Sequence, residues 1–424
     1  MCDGIPAAGN NMSECLKPDP FSHHMDLFPG ELLALTDTES DNEARLSDEL
    51  INQKYIKGDV RIVTEQARYP LSSVPSMVQS QDYELNPEFQ RRHRWDNLKK
   101  SRLIESFIMN VPIPPIFLYE DRFSHYEVMD GLQRMTAIYE FYTDRFSLEG
   151  LEEWPELNGR LYSDLPEQIK RGIDRRYLSS IILLQETAKD ETEATRLKQL
   201  VFERINSGGI KLEPQESRNA IYNGPLNKMC IRLARTPALC LMWGIPAPTE
   251  VELHESVLSD ELLANETFRK MDDVELVLRF FAYRQRLKHP EGSLKDYLDQ
   301  YLKSGNLYSS EVLAQLEQLF VRTVDLVHDI LGEKAFWLWR RRKVSGWGWF
   351  ARPTTVLYDP IMYVFSRYVD QASELSDKSE VIRSGITDFY EKHYDQFEGR
   401  YTNISNIVER NRLFDELLAK TLSA

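Results

Sequence analysis

The chain has 424 residues, enough to bury one large core or two ordinary ones, and its 42 % apolar and 11 % aromatic content is that of a folded soluble protein. No apolar run approaches the roughly 20 residues needed to cross a bilayer, and the opening MCDGIPAAGNNMSEC lacks the basic start and apolar stretch of a secretion signal, so a cytoplasmic protein without a membrane partner is expected. A net charge of −15 argues against attachment to nucleic acid through the surface as a whole.

That charge is unevenly spread. Residues 1–50 hold eleven Asp and Glu against Lys17 and Arg45, a balance of −9. The segment is rich in Asn, Ser, Asp and Pro without sustained periodicity, which suggests a mobile arm or a loosely docked extension over residues 1–55. Cys2, Cys15, Cys230 and Cys240 form no CxxC pair and have no histidine at ligand spacing, so neither a metal site nor a disulfide framework is expected.

From about residue 59 the texture changes. A β-rich stretch beginning VRIVTEQARYP is followed by a short helix near 71–79, punctuated by Pro70 and Pro75. NLKKSRLIESFIMN places Leu98, Leu103, Ile104, Phe107 and Ile108 near a 3.6-residue repeat, and VPIPP ends that helix. IFLYE and HYEVMD read as a hairpin joined by DRFS, an amphipathic helix starts near Leu132, and YLSSIILLQE is a further strand. Beyond residue 210 the pattern predicts helices near 213–222, 225–234, 272–286, 294–302 and 310–331, more to the end, and no second β cluster. The fold class expected is α+β: a small α/β domain over about 55–210, followed by a helical region packed on it, with a soft boundary near NSGG.

The stretch VMDGLQRMTAIYEFY, residues 128–142, turns from strand to helix at Asp130 and Gly131. Such a junction points backbone N–H groups at a surface where an anion can dock, and glycine permits close approach. Arg134 adds a fork able to grip two phosphate oxygens, and Gln133 can donate or accept at a ribose, a base or an attacking water. The same residues also make an ordinary helix start, with Asp130 as cap, Gly131 as turn residue and Arg134 paired to a nearby carboxylate.

Four ordered motifs add to this reading: NPEFQRRHRWD at 86–96, PIPPIFLYE at 112–120, VMDGLQR at 128–134 and VFERINSGGIKLEPQESRNAIYNG at 201–224. Together they resemble the DGQQR-motif domain at the N-terminus of GmrSD-type modification-dependent restriction enzymes, strongly over about 60–225 and onward through RKMDDVELVLRFFAYR at 269–284. That family is similar to the ParB and sulfiredoxin fold, in which a glycine turn followed by an arginine binds nucleotide phosphates. The resemblance therefore implies a ParB/sulfiredoxin-like nucleotide-binding domain over 56–225 and a helical domain over 226–424. It makes Asp130 and Gln133 candidate catalytic residues and Gln90, Arg91, Gly131, Arg134, Arg204 and Asn206 candidate nucleotide-binding residues. The family has glutamine where this chain has Leu132, so hydrolysis could be lost here while binding survives. Glu216 and Arg218 read instead as a buried pair locking their helix, and Gly208-Gly209 as a helix stop after Arg204 and Asn206.

Two basic clusters remain. FQRRHRWDNLKKSR has six Arg and Lys against one acid, a pattern usually found on a solvated face, with Trp95 expected in the core. FWLWRRRKVSGWGWF at 336–350 mixes four tryptophans with Arg340, Arg341, Arg342 and Lys343. Interleaved aromatics and arginines can stack bases and hold phosphates, or form a helix with tryptophans inward and arginines outward.

GmrSD-type enzymes carry a C-terminal HNH-like nuclease, yet His254, His289, His328 and His393 sit in no such setting, so an intrinsic HNH nuclease is not expected. Asp272 and Asp273 read first as the acidic start of a helix rather than as metal ligands. The expectation is a nucleotide-binding, NTP-hydrolysing module of a bacterial or phage-encoded defence system. Its cofactor would be ATP, GTP or CTP with Mg2+, and its partners DNA and a separate nuclease or other defence protein. The alternatives are a non-enzymatic DNA- or protein-binding adaptor and a nuclease with an unrecognised metal site.

Overall fold

A computed structural model describes residues 27–33, 47–57, 62–85, 92, 95–184, 191–206, 213–255, 258–289, 292–342, 346–397 and 404–424. Five strands, β1 Thr64–Pro70, β2 Tyr83–Glu84, β3 Ile116–Arg122, β4 His125–Asp130 and β5 Tyr177–Leu183, form one mixed sheet in the order β1-β5-β3-β4-β2. The expected hairpin is β3–β4, antiparallel and closed by a tight turn in which Ser124 takes φ 59°. β5 lies parallel to β3 and antiparallel to β1, while β2 adds to β4 in parallel. Burial along β5 alternates at first and becomes continuous only at Ile182 and Leu183, so its apolar centre reflects an inner position in the sheet more than two fully covered faces.

The helices around this sheet form where their periodicity places them. The helix Asn97–Met109 starts at Asp96, whose carboxylate accepts from the Lys99 N–H at 2.7 Å, and stops at Asn110 in the left-handed region with φ 60°. The helix Leu132–Tyr142 buries Leu132, Met135, Ile138 and Phe141 on one stripe, packed against the helices Val74–Gln79 and Asn97–Met109. With Ile116, Leu118 and Leu178 from the strands these residues form one core, and Trp95 packs partly buried against it as expected. The fold is α+β.

The chain divides into two compact units. One comprises residues 33–282 and 291–313 and contains the sheet; the other comprises the described residues of 1–32, 283–290 and 314–424. Within the first, the helices Pro214–Ile221, Pro225–Leu233 and Leu294–Gly305 accompany the sheet.

The second unit is largely helical but contains a two-stranded antiparallel sheet, β6 Trp337–Arg342 with β7 Gly346–Pro353. This corrects the expectation that the second half holds no second β cluster, and of the readings open for this stretch the helix is not realised. WLWRR and GWGWF alternate with period two, and aromatic residues favour a pleated surface. Glycine at 346 and 348 would cost a helix about 1 kcal/mol each relative to alanine.

The unit also holds part of the segment whose composition suggested an arm. Glu31 is fully buried and accepts from Arg284 through both oxygens, at 2.8 Å from Nε and 2.7 Å from Nη2. The Phe28 N–H donates to the same carboxylate at 3.0 Å, and the Arg284 guanidinium lies 4.9 Å from the centre of the Phe28 ring. Residues 1–26 and 34–46 lie outside the described residues.

Candidate functional site

The strand-to-helix junction forms where the sequence places it, with β4 ending at Asp130, Gly131 preceding the helix, and the helix beginning at Leu132. Gly131 has φ +98°, a conformation that costs a side chain dearly. A β-carbon there would fall 2.3 Å from Cγ2 of Ile116, on the neighbouring strand β3. The close approach that demands glycine is therefore made by the protein's own sheet.

Arg134 is almost completely buried, and its guanidinium is committed. Nη2 meets the Asp130 carboxylate at 2.5 Å, while Nη1 donates to the Pro114 carbonyl and lies 3.3 Å from that of Pro115. Prolines 114 and 115 bring the chain into β3, so one side chain ties together the entry to β3 and the exit from β4. Of the alternatives left open by the sequence, the pairing of Arg134 with a carboxylate is realised. Asp130 makes that ion pair and does not cap the helix, whose cap position is held by Gly131 with no side-chain cap. The turn then offers solvent one face of the Asp130 carboxylate, 40 % exposed, beside the first turn of a helix, where the backbone N–H groups carry the positive end of its dipole.

Gln133 faces away from the core, and its amide oxygen accepts the Trp95 N–H at 3.3 Å, pinning the end of the basic loop to the first helical turn. Leu132 points the other way and is 7 % exposed, among the core side chains. Its departure from the family pattern therefore falls on the packed side of the helix. Gln90 and Arg91 lie outside the described residues. Arg204 is an exposed side chain near the end of the helix Glu191–Asn206, and the side chain of Asn206 is not among those described. From the same helix Lys198 reaches Glu127 of β4 at 2.5 Å, so this helix is tied to the strand that carries Asp130.

Two buried polar networks lie in the same unit. Arg218, 3 % exposed at its side chain, donates to Asp299 at 2.6 Å, Glu275 at 2.7 Å and the Gln215 amide oxygen at 3.0 Å. Glu216 does not pair with it; its carboxylate accepts the Glu213 N–H at 2.7 Å in a capping box. The expected Glu216–Arg218 pair is corrected accordingly, because residues two apart on a helix face different directions. In the second network Arg92, alone described among the basic run at 91–94, is buried against Asp273 at 2.5 Å and lies 3.9 Å over the Phe268 ring. Burial raises the Asp273 carboxyl above its ordinary range, and Arg92 opposes that. Asp272 beside it is pushed up to about 6, by desolvation first and by Glu275 next. Neither partner of Arg92 or Arg218 could be read from spacing, since Asp273 and Asp299 lie 181 and 81 residues away in sequence.

Among the described residues no group of three or more His, Cys, Asp and Glu side chains could hold a metal ion. Cys230 and Cys240 are buried free thiols; burial pushes Cys240 up to about 11 and Cys230 further.

In the other unit the register of the β6–β7 hairpin puts Trp339, Arg341, Trp347 and Trp349 on one face and Leu338, Arg340, Phe350 and Arg352 on the other. Trp339 and Trp349 pair across the strands with ring centres 5.4 Å apart. Their face packs on the helix Ser379–Lys392, with Trp339 donating to Glu391 at 2.8 Å and Trp349 against Tyr390. Arg340 and Arg341 are exposed; Lys343 and the side chain of Arg342 are not among the described residues.

No described helix is long and apolar enough to cross a membrane. No curated protein and no solved structure matches the chain. One family model does, that of the GmrSD restriction endonuclease N-terminal domain, over residues 74–223. Residues 74–223, which carry the Asp130–Arg134 turn and the motif containing Arg218, therefore belong to the GmrSD restriction endonuclease N-terminal domain family.

Proposed function

We propose that this chain is a component of a restriction-type defence system, and that its 74–223 domain binds and hydrolyses a nucleoside triphosphate at the Asp130 turn. The family match supports the defence role. The observation that carries the site is the commitment of Arg134 to Asp130, Pro114 and Pro115, which holds a half-exposed carboxylate in one place at a helix start. The roles expected of the two charged residues are thereby exchanged. Arg134 positions; Asp130 is the group available to the magnesium ion of a Mg-nucleotide, with the first-turn N–H groups facing the phosphates. These residues fit such a ligand in charge, and Gln133 couples the loop ending at Trp95 to the same turn.

A non-enzymatic adaptor is the second reading. Its support was Leu132 in place of glutamine, and the burial of that side chain weakens the argument, because a core residue contributes nothing to an attacking water. The test is phosphate release from ATP, GTP and CTP, with and without DNA, by the wild type and Asp130→Asn. Turnover abolished in Asp130→Asn with folding intact supports the NTPase. Nucleotide binding without turnover in the wild type supports the adaptor, and equal behaviour of the two proteins removes Asp130 from the site.

A further inference from the structure

Where the end of the helix Ser310–Leu331 meets β7 and the helix Ser379–Lys392 there is a cavity of about 210 Å³, walled by Leu331, Trp349, Ile386 and Tyr390 and flanked by Lys334 and Arg383. All of it lies within the largely helical unit. An apolar cavity of about 150 Å³ is enough to take up benzene, so this space suits one aromatic ring with small substituents. Among the described residues no acidic side chain lines it.

The polar groups around it have bonding capacity to spare. Arg383 donates from Nε to the Ile330 carbonyl at 2.8 Å and from Nη2 to that of Asp329 at 2.5 Å, which closes the end of the helix Ser310–Leu331 and leaves Nη1 without a partner among the described residues. Lys334 rests 5.6 Å from the centre of the Trp337 ring, and no described carboxylate pairs with it. Tyr390 is 1 % exposed, its ring packed against Phe389, Phe397 and Phe414. Its hydroxyl has no hydrogen-bond partner among the described residues, and burial alone raises its pKa. Unlike Thr354 Oγ1 and Asn411 Oδ1, which are sealed off without a partner, this oxygen keeps some open space beside it, and the cavity supplies that space. A buried hydroxyl left unbonded is costly, so a ligand that met it would gain what the protein forgoes.

These groups select the ligand. Apolar and aromatic walls favour a ring, two cations without carboxylate partners favour an anion, and the Tyr390 hydroxyl favours a further polar atom on the ring. With two of its nitrogens already bonded, Arg383 has no fork to offer a phosphate. The carbonyls of Asp329 and Ile330, at the negative end of their helix, also disfavour a doubly charged group. We infer that this cavity binds a small aromatic carboxylate, with its ring against Leu331, Trp349 and Ile386, its carboxylate at Lys334 and Arg383, and a ring hydroxyl bonded to Tyr390. This inference does not depend on nucleotide binding at Asp130.

The test is isothermal titration calorimetry of the full chain with benzoate, 3- and 4-hydroxybenzoate, the uncharged 4-methylphenol and the dianion phenyl phosphate. One of the two hydroxybenzoates should bind more tightly than benzoate, and 4-methylphenol should bind roughly tenfold more weakly than that hydroxybenzoate. Lys334→Ala should weaken carboxylate binding roughly threefold, a modest loss because the ammonium is exposed, and its melting should match the wild type. Tyr390→Phe keeps the ring packing; it should leave benzoate affinity unchanged and abolish the preference for the hydroxybenzoate. Arg171→Ala, an exposed arginine paired with Glu167 in the other unit, should bind as the wild type does. No binding of any carboxylate at millimolar concentration, equal affinity for 4-methylphenol, a preference for phenyl phosphate, or a hydroxybenzoate preference that survives Tyr390→Phe would each overturn the inference.

Discussion

The anchoring of Glu31 makes a strong prediction about the amino-terminal segment. Glu31→Ala would leave the Arg284 guanidinium, 2 % exposed, buried without the carboxylate that accepts from both Nε and Nη2. Breaking a buried ion pair by removing one partner costs about 3–5 kcal/mol, because the remaining buried charge loses the carboxylate that compensated it. At roughly 2–4 °C per kcal/mol for a unit of this size, the melting midpoint should fall by about 6–20 °C. Tryptophan fluorescence is a suitable probe, since four of the seven tryptophans lie in the unit that holds Glu31. Deleting residues 1–33 should reproduce the destabilisation, whereas deleting 1–26 should leave this ion pair in place. Combining Glu31→Ala with Arg284→Met should recover much of the stability, as the buried charge is then removed together with its carboxylate. A midpoint for Glu31→Ala within a degree of the wild type, or a double variant no more stable than the single one, would refute the reasoning.

Arg134→Ala should cost about 1.5–3 kcal/mol in urea unfolding, because Asp130 and two proline carbonyls lose a charged donor; a variant as stable as the wild type would show that these bonds hold nothing. Leu132→Gln should lower stability by about 1–3 kcal/mol, through a buried amide without a partner, and leave nucleotide turnover unchanged; faster turnover at an unaltered melting point would restore a catalytic role to that position. Asp272 has a folded pKa raised to about 6, so the folded state holds its proton more tightly than the unfolded chain. Its contribution is favourable below about pH 4 and is lost as pH rises through 6, and Asp272→Asn should raise the midpoint at pH 7–8 with little change at pH 4. A uniform shift across that range would assign the effect to something other than the titration.

The local chemistry of the sheet was legible in the sequence. The β3–β4 hairpin, the helix stop before VPIPP and the stripe of Leu132, Met135 and Ile138 depend on residues within a few positions of one another, and they form where period and turn residues place them. The β6–β7 hairpin was harder because WLWRRR satisfies either an amphipathic helix or a strand until its partner GWGWF is aligned with it. The buried pairs were not legible at all. Glu31 counts as one more acid in an acidic segment, and only the fold brings it to Arg284 across 253 residues. The ordering of the candidate site fell between these cases: the spacing of Asp130 and Arg134 allowed their pairing without requiring it, and that Pro114 and Pro115 would take up the rest of the guanidinium required the sheet.

Gly131 changes how damage to this motif should be interpreted. Its missing side chain makes room for Ile116, so a substitution there pushes β3 away from β4 before any ligand is involved. In a mutational screen for defence activity, an inactive Gly131 variant would ordinarily be scored as a failure to bind nucleotide. Its soluble yield and proteolytic resistance would separate the two causes, and a screen lacking those controls would overstate the number of residues that touch the ligand.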